Sequence, residues 1–121
     1  MARILIIEDN AVNMKLTVAL LHQQGYDVLQ AVDAEEGTRL ARERLPELIL
    51  MDIQLPGMDG LAASRLLKSD AATRGIKIVA LTALAMKGDR ERIVAAGCDG
   101  YISKPIRYKE FLDVVGRMVG S

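Results

Sequence analysis

The residues of this 121-residue chain with the clearest chemical potential stand at the ends of short apolar runs. The run Ile4 to Ile7 leads directly into two acids, Glu8 and Asp9, and the run Leu48 to Met51 leads into Asp52. Adjacent carboxylates repel each other, and no cation follows Asp9 within the next five residues. This pattern indicates a functional site that uses negatively charged side chains.

Two further apolar runs end in polar residues of other types. The run Ile76 to Leu81 is followed by Thr82, and the run Gly100 to Ile102 is followed by Ser103 and Lys104. If the three acids converge, their burial is costly unless a positive group lies among them. Lys104 can offset one of the charges, and a hard divalent cation would offset the others.

The types of these side chains indicate which cation and which reaction to expect. Carboxylate oxygens without neighbouring His or Cys ligands favour Mg²⁺, which shares its coordination shell readily with phosphate oxygens. The pattern therefore predicts a phosphoryl-handling site, in which acids hold the metal and a hydroxyl and an ammonium contact the phosphoryl oxygens. One carboxylate could itself be the nucleophile and form an acyl phosphate.

The apolar runs alternate with stretches of helical period. The predicted strands are Ile4 to Ile7, Asp27 to Ala31, Leu48 to Met51, Ile76 to Leu81 and Gly100 to Ile102. The predicted helices are an apolar stretch with Met14, Leu16, Val18, Leu20 and Leu21 on one side and Gly25 at its end, then Ala34 to Arg44, Leu61 to Lys68, Lys87 to Ala96 and Tyr108 to Val119. Asp33 is expected to cap the second helix, and Gly97 to end the fourth.

This alternation predicts an α/β fold with a parallel sheet covered by helices on both faces. The chain is too short for an eight-fold barrel, so an open, doubly wound sheet is expected, as one domain over residues 1–121. In such sheets ligands bind beyond the carboxyl ends of the strands. Glu8, Asp9 and Asp52 would converge there if the first and third strands are neighbours.

Composition excludes several classes of function. Lys and Arg number 16, as do Asp and Glu, and this balance argues against a nucleic-acid-binding protein. Cys98 is the single cysteine and His22 the single histidine, so neither an internal disulfide nor a zinc site is expected. Acids follow the apolar start too soon for the pattern of a signal peptide, and no apolar run approaches membrane-spanning length, so we expect a cytoplasmic protein without membrane contact.

Four motifs, in this order, resemble the receiver domain of bacterial two-component response regulators. They are "ILIIEDN", "LILMDIQLPGMDG", "IVALTA" and "YISKPI", and the resemblance covers essentially the whole chain. It implies a flavodoxin-like three-layer (βα)5 sandwich with strand order 2-1-3-4-5. "EDNAVNMKL" looks more like the single-domain DivK-like cell-cycle regulators, or receivers attached to hybrid histidine kinases, than like CheY-like ones.

The resemblance implies a role for each matching residue. Asp52 would accept a phosphoryl group from a phosphohistidine on a histidine kinase or histidine phosphotransferase. Asp9 and Asp52 would bind Mg²⁺ through their side chains, Glu8 mainly through water, and Gln54 through its backbone carbonyl. Lys104 would contact a phosphoryl oxygen, and its bond to Pro105 would be cis.

The resemblance also implies a switch. Thr82 would move toward the phosphoryl oxygen, and Tyr101 would rotate inward after it. Gln54 and Leu84 would flank the phosphoryl group and tune its lifetime. Output would be altered protein–protein contact with a downstream target through the fifth strand and the helices on either side of it, as a monomer or a weak phosphorylation-dependent dimer. Any effector domain would have to follow Ser121.

Other interpretations of the same residues stay open. Thr82 could be an ordinary capping or core threonine, and Tyr101 an ordinary half-buried aromatic. The chain could be a receiver module from a hybrid histidine kinase. It could also be a small Mg²⁺-dependent phosphohydrolase with an Asp nucleophile. Such an enzyme would usually offer an acid two residues after the nucleophile, where this chain has Gln54.

Overall fold

Strands and helices alternate along the chain in a computed structural model that describes residues 2–83 and 87–119. The strands are β1 (Arg3–Ile7), β2 (Asp27–Ala31), β3 (Leu48–Asp52), β4 (Lys77–Thr82) and β5 (Gly100–Ser103). The helices are α1 (Ala11–Gln23), α2 (Ala34–Arg44), α3 (Gly60–Ser69), α4 (Lys87–Ala95) and α5 (Tyr108–Val119). The element types and their order are those predicted from the sequence. Leu84 lies outside the described residues.

All four strand pairings are parallel, and the strand order is β2-β1-β3-β4-β5. Parallel neighbours need crossover connections, and the intervening helices supply them. The predicted doubly wound fold and its 2-1-3-4-5 order are therefore confirmed. The order reverses between β1 and β3, and this position is where open α/β sheets bind ligands.

The helices cover both faces of the sheet and form three layers with it. On one face, Ile4 and Ile6 of β1 pack in a cluster with residues of α1 and α5, among them Leu21 and Phe111. On the other face, Leu5 of β1 packs in a cluster with residues of α2 and α3. A third cluster joins α3 to α4. The central strands are buried on both sides, which explains their continuous apolar runs.

Side-chain caps define the turns that follow β1 and β3. Asn10 accepts a hydrogen bond from the backbone N–H of Asn13 at 3.0 Å and starts α1. Asp59 accepts one from Ala62 at 2.8 Å and starts α3. Each cap satisfies a donor of the first helical turn and so fixes where its helix begins. The predicted cap Asp33 is confirmed, with Glu36 as donor at 2.8 Å.

Several predicted element bounds differ by one residue from those observed, and one predicted burial was wrong. Asp52 and Thr82 are the last residues of β3 and β4, because their backbones still pair with the neighbouring strand. Leu16 does not belong to the buried side of α1, and its side chain is 44% exposed. The buried positions of α1 include Thr17, whose hydroxyl donates to the carbonyls of Asn13 and Met14 and so tolerates burial.

Leu45, which follows α2, adopts a left-handed backbone conformation with φ 44° and ψ 63°. This conformation is unfavourable for a residue with a β-carbon, and the following Pro46 restricts it further.

Among residues 2–83 and 87–119, no helix combines the length and apolar character needed to cross a membrane.

Candidate functional site

Three carboxylates converge at the carboxyl end of the sheet, where the strand order reverses. Ile7 of β1 pairs with Met51 of β3, so the residues that follow them, Glu8 and Asp52, lie at the same edge of the sheet. One carboxylate oxygen from each of Glu8, Asp9 and Asp52 lies within 4.8 Å of the others. The structure thus brings together the three acids that the sequence predicted to converge.

Lys104, at the end of β5, reaches across β4 to two of these acids. Its Nζ lies 2.9 Å from Asp52 Oδ2 and 3.1 Å from Glu8 Oε1. The Glu8 side chain is fully buried, that of Asp52 is 7% exposed and that of Lys104 is 19% exposed. Because the ammonium is itself partly removed from water, it offsets the repulsion between the two carboxylates more strongly than a surface lysine would.

Backbone amides complete the hydrogen bonding of the two buried acids. The N–H of Gln54 donates to Asp52 Oδ1 at 2.9 Å, and the N–H of Asn10 donates to Glu8 Oε2 at 3.3 Å. Together with Lys104, these donors give each of the four carboxylate oxygens a partner. The two acids are therefore held in fixed orientations.

The electrostatics of the pair reflect both burial and charge. Burial raises the pKa of Glu8 above its ordinary value of 4.5, and the neighbouring Asp52 carboxylate adds to this effect. The hydrogen bond from Lys104 lowers the pKa of Glu8 but does not reverse the shift. Burial alone would lower the pKa of Lys104, but its bonds to Asp52 and Glu8 raise it above 10.5. Glu8 is therefore harder to ionise than an exposed glutamate, while its two acidic partners stabilise the charged form of Lys104.

The three acids fit a small, hard cation. Their donors are all carboxylate oxygens, the ligand type that Mg²⁺ prefers. One oxygen of each acid lies within 4.8 Å of the others, so a single small cation bound among them would offset the charge of all three. Asp9 is exposed, so the site is open to solvent on its side.

Thr82 and Lys104 are joined through their backbones at the ends of β4 and β5. Thr82 is 1% exposed, and its carbonyl accepts a hydrogen bond from the N–H of Lys104 at 2.7 Å. The Lys104–Pro105 peptide bond is cis, as the sequence resemblance implied. Position 82 is thus held beside the residue whose ammonium contacts Asp52.

Tyr101 lies half-buried on β5, beside the cluster that joins α3 to α4. The guanidinium carbon of Arg90, on α4, lies 5.6 Å from the centre of its ring, a geometry that favours a cation–π contact. Arg90 was not singled out from the sequence. The separation of Arg90 and Tyr101 along the chain does not predict this contact, because the contact depends on how α4 packs against β5.

Gly60 is a second residue that sequence reasoning missed. It is buried at the first position of α3, and its N–H donates to the carbonyl of Ile53 at 3.1 Å. A β-carbon at this position would lie 2.4 Å from the backbone oxygen of Asp52. A glycine directly before the predicted helix Leu61 to Lys68, at the start of a helix that it does not favour, was the signal available in the sequence.

Comparisons with known proteins identify the family of the chain. Residues 4–116 match the response regulator receiver domain. The polar-differentiation response regulator DivK of Brucella anthropi is 46% identical over 117 residues, which cover 97% of this chain and 95% of that protein.

Solved structures give the same result. The receiver domain of the sensor histidine kinase PA1611 from Pseudomonas aeruginosa has a magnesium ion coordinated in its active site cleft. It matches with a TM-score of 0.92 at 38% identity, over 99% of this chain and 98% of that one. The chemotaxis response regulator CheY4 of Vibrio cholerae shares the fold, with a TM-score of 0.93 at 23% identity over 98% of each chain.

A five-stranded doubly wound sheet with an acidic site at its topological switch point defines a class of α/β signalling modules. The chain belongs to the response regulator receiver domain family. It is a DivK-like component of two-component signalling, and its function is phosphorylation-dependent signalling. The resemblance stated from the sequence motifs is confirmed.

Proposed function

We propose that Asp52 is the phosphoacceptor of this receiver and takes its phosphoryl group from a phosphohistidine of a histidine kinase or histidine phosphotransferase. The observation that carries the proposal is the environment of the Asp52 carboxylate. It is held between the Lys104 ammonium at 2.9 Å and the Gln54 N–H at 2.9 Å, beside Glu8 and Asp9. Among the described residues Glu8 shares these features, but its side chain is fully buried, whereas that of Asp52 is 7% exposed and can meet a donor from solvent.

The reaction needs a nucleophile and charge neutralisation rather than an acid–base pair. A carboxylate oxygen of Asp52 forms a bond to phosphorus while the phosphorus–nitrogen bond to the donor histidine breaks. The donor imidazole leaves with both electrons of that bond and departs as a neutral ring, because its other nitrogen already carries a proton. The product is an acyl phosphate on Asp52. The fixed orientation of Asp52 holds its carboxylate ready for in-line attack.

The cofactor that we propose is Mg²⁺, held by the side chains of Asp9 and Asp52, by the backbone carbonyl of Gln54 and, through water, by Glu8. The oxygen-only chemistry of these donors and the close spacing of the three carboxylates support this assignment. When bound, the ion would neutralise negative charge on the phosphoryl oxygens. Lys104 would neutralise another part of this negative charge, since its ammonium already contacts the reacting carboxylate of Asp52.

Phosphorylation would then redistribute the contacts of Lys104 and Thr82. It replaces one negative charge at Asp52 by roughly two and adds acceptor oxygens. These oxygens would compete with Glu8 for the Lys104 ammonium and attract the Thr82 hydroxyl. Because Thr82 and Lys104 share a backbone hydrogen bond, a movement of one is expected to reach the other.

The output surface would be β5 with α4 and α5. Tyr101 and Arg90 lie on this surface, and an open cavity of about 600 Å³ between β5 and α5 is lined by residues that include Arg90, Tyr101 and Met118. Inward rotation of Tyr101 would break its contact with Arg90 and change the shape that a downstream protein target meets. We expect this signalling to take place in the cytoplasm. The receiver would be one unit over residues 1–121, as a monomer or a weak phosphorylation-dependent dimer.

A second candidate is a receiver module that works within a hybrid histidine kinase. It is supported by the 38% identity to the receiver domain of the sensor histidine kinase PA1611. The phosphoacceptor chemistry would be the same in both cases. An Asp-based phosphohydrolase is disfavoured because Gln54, two residues after the nucleophile, cannot act as its general acid.

The experiment that tests the proposal is labelling by acetyl phosphate in the presence of Mg²⁺, followed by intact mass measurement. The wild-type chain should gain the mass of one phosphoryl group, and Asp52→Asn should gain none. Asp113→Asn makes the same chemical change on the exposed surface of α5 and should be labelled like the wild type. Equal labelling of Asp52→Asn and the wild type would remove Asp52 from the reaction.

A further inference from the structure

We infer that Gly60 is a positioning residue for the phosphoacceptor. The lack of a side chain at position 60 lets α3 begin directly against the Asp52–Ile53 peptide, and this contact holds Asp52 and Gln54 where the reaction needs them. The inference rests on the proposed function of Asp52. It extends that function to a residue that has no side chain to offer a metal or a phosphoryl group.

The closest approach between the start of α3 and the end of β3 is between backbone atoms. A β-carbon added at Gly60 would lie 2.4 Å from the Asp52 carbonyl oxygen, 2.6 Å from Ile53 Cα and 3.1 Å from the Asp52 carbonyl carbon. These atoms cannot rotate away as the end of a side chain can. At Gly37 the corresponding clash, 2.3 Å, is with Cδ1 of the Ile7 side chain, which has other rotamers.

Ile53 is held through both of its backbone polar groups. The N–H of Ile53 donates to the carbonyl of Leu81 on β4 at 3.3 Å, and its carbonyl accepts from the N–H of Gly60 at 3.1 Å. The next N–H, that of Gln54, donates to Asp52 Oδ1 at 2.9 Å. A methyl group that pushes on the Asp52–Ile53 peptide would therefore turn Gln54 and the Asp52 carboxylate together.

Helix α3 cannot easily retreat to make room for the methyl group. Its apolar side is buried against the sheet, and Ser64 donates from its hydroxyl to the carbonyl of Ala96 at 2.9 Å. Asp59 caps its first turn through the N–H of Ala62. Since α3 is anchored along its length, most of the displacement falls on residues 52–54.

The test compares Gly60→Ala with Gly116→Ala. Gly116 lies in α5, and a β-carbon there would meet nothing within 4 Å, so it controls for adding a methyl group to a helix. We expect Gly60→Ala to weaken Mg²⁺ binding about tenfold, as loss of a supporting contact around metal ligands does. It should also slow labelling by acetyl phosphate at saturating Mg²⁺. Gly116→Ala should match the wild type in both.

Mg²⁺ affinity and labelling rate distinguish a positioning role of Gly60 from an effect on stability. Alanine favours helix more than glycine does, so weaker Mg²⁺ binding in folded Gly60→Ala would not come from poorer helix formation. Both variants are measured well below their unfolding transitions, where a purely structural effect leaves Mg²⁺ affinity unchanged. Wild-type affinity and labelling rate in Gly60→Ala would overturn the inference.

A measurement on the wild type keeps the inference testable if Gly60→Ala does not fold. In an NMR titration with Mg²⁺, the amide resonance of Gly60 should shift together with that of Gln54, because its N–H is bonded to the Ile53 carbonyl. The Gly116 resonance should stay in place. An unmoved Gly60 amide at saturating Mg²⁺ would overturn the inference. Failure of the wild type to bind Mg²⁺ or to be labelled would instead contradict the proposed function.

Discussion

Lys104 Nζ lies 2.9 Å from Asp52 Oδ2, although the two residues are 52 positions apart in the chain. The contact spans β4, which separates the strand ending in Asp52 from the strand that leads to Lys104. It makes one ammonium group responsible for two tasks. Lys104 stabilises the acidic cluster before the reaction, and in our proposal it contacts the phosphoryl group afterwards.

Replacing Lys104 should destabilise the protein in the absence of Mg²⁺. Lys104→Met removes the partner of Asp52 and Glu8 and leaves two buried carboxylates facing each other. We expect the free energy of unfolding to fall by about 1–3 kcal/mol, less than for a fully buried pair because Lys104 is partly exposed. Urea denaturation measures this loss. Lys109→Met, on the exposed surface of α5, is the control, and an equal effect of both substitutions would contradict a stabilising role of the Lys104 contacts.

The raised pKa of Glu8 predicts a specific pH dependence of stability. A raised pKa means that the folded state binds the proton more tightly than the unfolded state does. The stability that this proton provides is fully present below 4.5 and is lost as the pH rises through the higher pKa of the folded state. In Mg²⁺-free urea titrations, the stability of the wild type relative to Glu8→Gln should therefore fall as the pH rises through this window.

A matched variant controls for the loss of an acid at the surface. Glu47 is exposed at the opposite end of β3, and Glu47→Gln should show no such fall relative to the wild type. A wild-type-minus-Glu8→Gln difference that stays constant from pH 4 upward would mean that burial does not perturb Glu8, in disagreement with its full burial here.

Mg²⁺ should stabilise the fold, because the ion binds an arrangement that the unfolded chain lacks. At a concentration about 100 times the dissociation constant, the expected gain is about 2.7 kcal/mol. Asp9→Asn removes one carboxylate ligand and should raise the dissociation constant at least about tenfold, as measured by calorimetric titration. Asp113→Asn should bind Mg²⁺ like the wild type. Unchanged affinity in Asp9→Asn would exclude Asp9 from the metal site.

Leu45 offers a test of the fold that is independent of the site. Leu45→Gly should raise the free energy of unfolding by about 0.5–1 kcal/mol, since relief of the left-handed strain exceeds the extra flexibility of glycine in the unfolded state. The Leu45 side chain is 56% exposed, so little burial is lost. Leu45→Ala keeps the β-carbon and should bring no gain. Equal stability of the two variants would show that the backbone strain is negligible.

The periodicity of the sequence predicted the fold well because the pattern of burial alone distinguishes its strands from its helices. The runs at Ile4 to Ile7 and Leu48 to Met51 are buried on both faces, and such strands need no alternation to be recognised. Strand ends were less predictable. Pairing of Asp52 with Leu81 extends β3 by one residue, and apolar runs carry no information on pairing.

The acids of the site were predictable for a related reason. Glu8 and Asp52 follow apolar runs that the topology makes neighbours, so their convergence needed only the strand order. The contact of Lys104 with both acids depends on the reach of its side chain across β4, and no local pattern records that distance. The close approach of Gly60 to Asp52 likewise depends on how α3 packs, although an unfavourable residue at a helix start was visible in the sequence.

The identity of the modified residue tests the central proposal most directly. After reaction with acetyl phosphate and Mg²⁺, borohydride reduces an aspartyl phosphate to homoserine, and peptide mass spectrometry then locates it. We expect the modification at position 52, dependent on Mg²⁺ and lost in Asp52→Asn. Homoserine at another aspartate, or equal labelling with Mg²⁺ removed by chelation, would contradict the assignment of Asp52 as the phosphoacceptor.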